Sequence, residues 1–414
     1  MSTKTKTIGA MFALMVVASN ANASFAHTDW DRVSTLIATT GPFVLQTDVP
    51  VPALAGRFGS SVASWHDEAS GADWAIVGAP GEDGFTGAAY IYSYAPGSAD
   101  WKKEARLVAP DATFGSEFGF SVAIDHETVV IGAPLHIADF FFGAAYVFVR
   151  DEATGDWTQQ GDEFNGGDLD YGFAVAIAGD SLAVSEPGGG NVFTYERTGT
   201  AWSSAIKLTS TSTKPDAAFG FSLAIDAQHL LVGSPRDSEV LDLEGSATLF
   251  DRGRDGWDLS QVLRPEITTE SQQQFGYAVA FSPETIVIGS PFKAALAGAI
   301  HFFSYNDMIP RWVEQSVFGG TSTMPPSLFG ESLALSGETL VAGAPGIDSA
   351  DVFRNDAGVW SLQSVLTNDA GTFFGWSLSA AGDKIWVGTP GKMLLSDGNA
   401  YVFINDRIFA DDFD

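Results

Sequence analysis

Carboxylates and aromatic side chains gathered in short stretches are the groups in this sequence best equipped for chemistry. Asp237, Glu239 and Asp242 lie within one run, Asp237-Ser238-Glu239-Val240-Leu241-Asp242-Leu243-Glu244, and could hold a cation or a basic partner. Their alternation with Val240, Leu241 and Leu243 equally fits a half-buried strand extension, which is the preferred reading. Glu82 and Asp83 are adjacent carboxylates that default to solvation. Phe140-Phe141-Phe142 would mark a binding surface if exposed, with flat faces suited to sugar rings. Packing of the same rings into a following strand is the plainer alternative. Catalysis finds little here. There is no Gly-x-Ser-x-Gly elbow, no His-Glu-x-x-His and no Gly-Lys-Ser/Thr phosphate cradle, and the 6 histidines are scattered. The expectation is a protein that binds rather than an enzyme.

The elements that would position these residues come from an internal repeat. An aromatic-Gly pair recurs at Phe58-Gly59, Phe118-Gly119, Tyr171-Gly172, Phe219-Gly220, Phe275-Gly276, Phe329-Gly330 and Phe374-Gly375. The spacings run from 45 to 60 residues. Each pair precedes a small-apolar strand such as Ser121-Val122-Ala123-Ile124. A tight polar turn and a second strand ending in Gly-Ala-Pro or a relative follow, as at Gly78-Ala79-Pro80, Gly132-Ala133-Pro134 and Gly343-Ala344-Pro345. A variable loop leads to a third strand, and a fourth carries Trp101, Trp157, Trp202, Trp257, Trp312 or Trp360. These Trp residues recur at one repeat position and read as wedges between neighbouring units. Four short strands per unit of about 50 residues make a propeller blade. The fold class is therefore all-β, a seven-bladed β-propeller of four-stranded blades. The last unit lacks its Trp strand, and Asp29-Trp30-Asp31-Arg32-Val33-Ser34-Thr35-Leu36 matches it, so this N-terminal strand is expected to complete the last blade and close the ring.

The seven aromatic-Gly and Gly-Ala-Pro elements resemble the FG-GAP repeats of integrin α-subunit head propellers, over about residues 29–404. The resemblance implies the integrin-type propeller and a role in adhesion or ligand binding. It also implies calcium in the turn between the first two strands, where the family carries Asp-x-Asp-x-Asp-Gly. Six of the turns here are too short for that. The longer one, Asp67 through Asp73, leaves Asp67 and Asp73 as candidate calcium ligands, with Ala69 where the family places another. No other cofactor is expected.

Lys4 and Lys6, the apolar run Ile8 to Ala18 and Ala21-Asn22-Ala23 form a signal peptide over residues 1–23, with the propeller at 24–404 and an acidic tail at 405–414. Export to the medium, periplasm or cell surface follows, as a monomer without a spanning helix in the mature chain. With 51 acidic against 21 basic residues and a net charge of −30, nucleic acid and anionic lipid are poor partners. Zero cysteines leave burial to hold the fold, and 45% hydrophobic content supplies it. The expected function is a binding or adhesion module presenting loops from one face to a protein or glycan. The alternative is an extracellular hydrolase or lyase acting on a polymer, with carboxylates near the channel.

Overall fold

Strands whose two faces are both covered read as continuous apolar runs, and the second strand of each repeat is of this kind. Val-Val-Ile at 129–131 and Ile-Trp-Val at 385–387 are buried throughout. The computed structural model describes residues 37–405 apart from 41–42, 49–55, 99, 139–140, 215, 267–269, 323–324, 369–370 and 392–397. These residues form seven antiparallel sheets, one per repeat. Blade 1 is Ser61–His66, Asp73–Ala79, Ala88–Tyr94 and Lys102–Leu107, paired in chain order. First strands of successive blades pack on one another around the axis, and Ser377–Ala381 of blade 7 returns to Ser61–His66 of blade 1. The fourth strands form the outer rim, where Lys102–Leu107 is largely exposed.

The repeated motif is the inter-blade joint. All seven aromatic residues of the aromatic-Gly pairs are fully buried, each contributing about 1.5–3 kcal/mol by removal from water. Phe118 packs in one cluster with Ile76 and Ala89 of blade 1 and with Tyr146 and Phe148 of its own blade. The glycine after it takes φ of +90° and sets its backbone against the preceding blade. A Cβ on Gly132, from Gly-Ala-Pro, would lie 2.0 Å from the Gly172 carbonyl oxygen of the next blade. The same approach recurs at Gly78, Gly233, Gly289, Gly343 and Gly388. A serine at the start of the first strand completes the joint. Ser121 Oγ donates to Gly172 O at 2.8 Å, and Ser61, Ser222 and Ser332 repeat the bond. Ser377 Oγ donates to Gly59 O at 2.9 Å and so joins blade 7 to blade 1.

The seam between blades 7 and 1 carries a further lock. Lys384 Nζ stands 2.7 Å from Asp73 Oδ2 and 2.6 Å from Asp383 Oδ1, and the amine is almost wholly buried. Trp101 of blade 1 packs edge-on against Trp386 of blade 7 at 4.7 Å, as the wedge reading predicts. Trp157 meets Trp74 across blades 2 and 1 in the same way.

The outer strand of blade 7 differs from the sequence expectation. Phe43–Asp48 pairs with Asn399–Asn405, with Phe43 opposite Asn405 and Asp48 opposite Tyr401. The position assigned to the Trp30 strand is thus taken by a segment without the Trp signature, and Asp29–Leu36 lies outside the described residues. Ile37–Thr40 adds instead to blade 6 as a fifth strand.

Candidate functional site

Two sets of loops share one face: those joining second to third strands and those leading into each aromatic-Gly pair. Parallel bridges such as Gly87 with Phe118 and Gly245 with Phe275 bind the two sets together. On this face, the residue immediately after each aromatic-Gly pair stands at the head of the first strand of its blade, and the first strands pack on one another around the ring. In chain order these are Ser60, Phe120, Phe173, Phe221, Tyr277, Glu331 and Trp376, all partly exposed. The rings of neighbouring blades meet one another along this series. Phe120 and Phe173 have centroids 5.2 Å apart, Phe173 and Phe221 5.1 Å, and Phe221 and Tyr277 4.6 Å. Phe292 extends the series at 5.9 Å from Tyr277.

Glu331 interrupts this aromatic collar. Its Oε2 is buried and makes no hydrogen bond among the described residues. Burial pushes its carboxyl up to about 8, with no charged neighbour contributing. A carboxyl beside Tyr277, at the end of a series of rings, could receive a cation, since ring faces carry negative quadrupoles. Sequence reasoning sought sites in the unequal loops and missed this one, although aromatics after the glycine in four of the first five repeats were a visible signal.

The loop residues singled out by sequence are placed differently. Glu82 is buried, not solvated: Tyr90 Oη donates to its Oε2 at 2.6 Å and Arg106 Nε to its Oε1 at 2.8 Å. Asp83 pairs with the same Arg106 at 2.7 Å. Asp237 is also buried and accepts from Ser212 Oγ, Ser246 Oγ and Arg264 Nη2. Glu239 accepts from the Thr213 side chain and backbone, which hold its carboxyl below the ordinary range. Asp242 accepts from Gln272 Nε2 at 3.4 Å. The loop therefore uses these carboxylates to tie itself to its neighbour, and it is turns rather than a strand extension. The difference has a physical cause: buried carboxylates need donors, and Arg106 on the fourth strand of blade 1 and Arg264 just after that of blade 4 are distant in sequence.

Phe140 lies outside the described residues. Phe141 opens the third strand of blade 2, opposite Ala138. The hairpin Thr128–Ala138 with Phe141–Arg150 carries Ile137 and Phe142 at 60% and 43% exposure, which leaves apolar surface open on its described residues. Asp67 and Asp73 have separate protein partners. Asp67 accepts from Ala69 N and Ser70 Oγ within its own turn, whereas Asp73 is committed to Lys384 and to His66 Nδ1 at 2.7 Å. No group of three or more metal-ligating side chains occurs among the described residues.

One arrangement has the order of a hydrolytic relay. His136 Nε2 stands 3.3 Å from Asp111 Oδ2, and its Nδ1 3.1 Å from Ser116 Oγ. Ser116 is fully buried and its hydroxyl donates to Thr113 O, so it offers substrate no nucleophile.

Residues 101–148, the fourth strand of blade 1 and the first three of blade 2, match the model of the FG-GAP repeat. The chain is a seven-bladed β-propeller that carries an FG-GAP repeat at residues 101–148. No curated protein matches it in sequence. Among solved structures it is similar to a protein from Bacteroides uniformis assigned provisionally as a 6-phosphogluconolactonase, at TM-score 0.54 and 11% identity, covering 77% of this chain and 89% of that one. It is similar also to virginiamycin B lyase from Staphylococcus aureus, at TM-score 0.52 and 9% identity, covering 87% and 99%. A functionally unknown protein from Desulfotomaculum acetoxidans aligns at TM-score 0.51 and 12% identity, covering 76% and 94%. At these identities the likeness is one of fold.

Proposed function

We propose that this propeller is an exported recognition module whose loop face captures a cationic group at the axial collar. The observation that supports it is Glu331, a carboxyl with a buried, unpartnered oxygen beside Tyr277, the end of the ring series Phe120, Phe173, Phe221 and Tyr277. Ring faces attract a desolvated cation, and an arriving positive charge ionises the carboxyl that burial holds protonated. The cation would be an ammonium or guanidinium carried by a protein partner or by a smaller ligand.

The test uses butylguanidinium and tetramethylammonium, which are monovalent, so the general acidity of the surface adds little. Titration followed by calorimetry and by tryptophan fluorescence should give saturable binding. Glu331→Gln and Phe221→Leu should each weaken it about fivefold or more. Absence of binding, or binding indifferent to both substitutions, would overturn the reading.

A polymer-degrading hydrolase is the second reading, favoured by a channel carboxyl protonated at neutral pH. Cleavage of a glycosidic bond by the usual route takes two carboxyl groups. The upward shift of Glu331 comes from burial alone, without a second carboxylate beside it. Recognition is accordingly the preferred reading.

A further inference from the structure

On the opposite face, where the chain makes its short hairpin turns, an open groove of about 600 Å³ runs between blades 4 and 5. Its size falls within the roughly 300–1,000 Å³ of small-ligand sites. Tyr305 lies along it with 49% of its surface exposed, its ring edge-on to that of Trp312 at 5.8 Å. Pro283 and Pro310 form stiff lips.

The floor is built rather than incidental. Gln261 of blade 4 uses both ends of its amide on Trp312 of blade 5: Nε2 donates to Trp312 O at 2.8 Å, and Oε1 accepts from Trp312 N at 2.9 Å. This fixes the two blades against each other beneath the groove and holds the Tyr305–Trp312 pair in place.

Two charged side chains line the same groove, Asp251 from blade 4 and Arg311 from blade 5. Both are exposed, and neither makes a hydrogen bond or ion pair among the described residues. One is purely an acceptor and the other purely a donor. Adjacent hydroxyls on a pyranose can donate to a carboxylate and accept from a guanidinium together. The C–H face of such a ring also carries the partial positive charge that a flat aromatic face attracts.

We infer that the groove between blades 4 and 5 is a glycan-binding site, with Tyr305 as stacking platform and Asp251 and Arg311 as the hydroxyl-bonding pair. The site is separate from the axial collar and does not depend on it. A short stretch of oligosaccharide enters along the groove and is held by stacking first and by the charged pair second.

The test is calorimetric titration of the full chain with cellohexaose, xylohexaose, chitohexaose and hexagalacturonate. At least one should bind with Kd below about 1 mM. Tyr305→Ala, Arg311→Ala and Asp251→Asn should each weaken that binding about tenfold or more while leaving the melting temperature unchanged, since all three side chains are exposed. Glu331→Gln should leave sugar binding intact, which separates this site from the collar. The inference is overturned if none of the four binds, if binding survives Tyr305→Ala, or if a proline-rich peptide occupies the groove where no sugar does.

Discussion

Replacing Glu331 with Gln keeps the shape of the side chain and removes its titration. The carboxyl has its ordinary value of 4.5 in the unfolded chain and about 8 in the fold, raised by burial. The folded state therefore holds its proton more tightly. Its contribution to stability is fully present below pH 4.5 and is lost as pH rises towards 8. At about 1.4 kcal/mol per pH unit, the displacement corresponds to a ceiling of ~5 kcal/mol. The side chain is partly open to the channel, where water screens the charge, so ~2–3 kcal/mol is the expected loss in the native protein. The Gln variant escapes that loss. Its melting temperature should equal that of the unmodified protein at pH 4.5 and exceed it by about 3 °C at pH 9, scaling melting entropy with chain length. Differential scanning calorimetry of both proteins from pH 4.5 to 9 measures the gap directly, because every other titrating group is common to both and cancels. A gap constant across this range would refute the placement of Glu331 as a buried, unpartnered carboxyl.

Lys384→Met should destabilise the fold by about 3 kcal/mol in urea denaturation, because it removes the cation at the buried Asp73 Oδ2 and leaves that carboxylate only His66 at Oδ1, at the seam between blades 7 and 1. Met preserves the apolar length of the stem but loses the ammonium over the Tyr94 ring, so an unchanged urea midpoint would mean that neither the ion pair nor this contact contributes. Gly132→Ala should prevent native folding, since its Cβ would meet a backbone oxygen at 2.0 Å, whereas Gly319→Ala, with nothing within 4 Å, should fold normally. Circular dichroism and gel filtration of the two variants decide this, and a native-like Gly132→Ala protein would contradict the inter-blade joint.

The propeller was legible because its joint is built from residue types that few others can replace. A fully buried ring such as Phe118 and a glycine such as Gly132, against which a carbonyl closes, leave marks at fixed spacing. The residue before each aromatic shows where legibility ends. Arg57, Glu117, Asp170, Ala218, Gln274, Leu328 and Phe373 all take positive φ between 54° and 70°, yet they share no chemistry. Backbone geometry imposed by neighbouring blades overrides side-chain preference there. The outer strand of blade 7 was misplaced for a related reason. Rim strands are only half covered, so Phe43–Asp48 can fill the position without the Trp found in the others. Glu82 read as a solvated carboxylate and Asp237 as part of a strand extension because their arginines, Arg106 and Arg264, stand 24 and 27 positions away in sequence. The collar was visible in composition but not in meaning, since only closure of the ring shows that Phe120, Phe173, Phe221 and Tyr277 converge.

The pairing of Phe43–Asp48 with Asn399–Asn405 also governs how the molecule bears mechanical load. Phe43 and Asn405 are opposite one another at the same end of the ladder. A pull applied through these two positions would open the hydrogen bonds one after another from that end, like a zipper, rather than shearing them all at once. Tension carried between these two strands would find little resistance at blade 7. A pull across two neighbouring blades would instead load the buried rings and Ser–Gly bonds of a joint together. Under load the propeller would thus hold across its blades and yield first at its clasp.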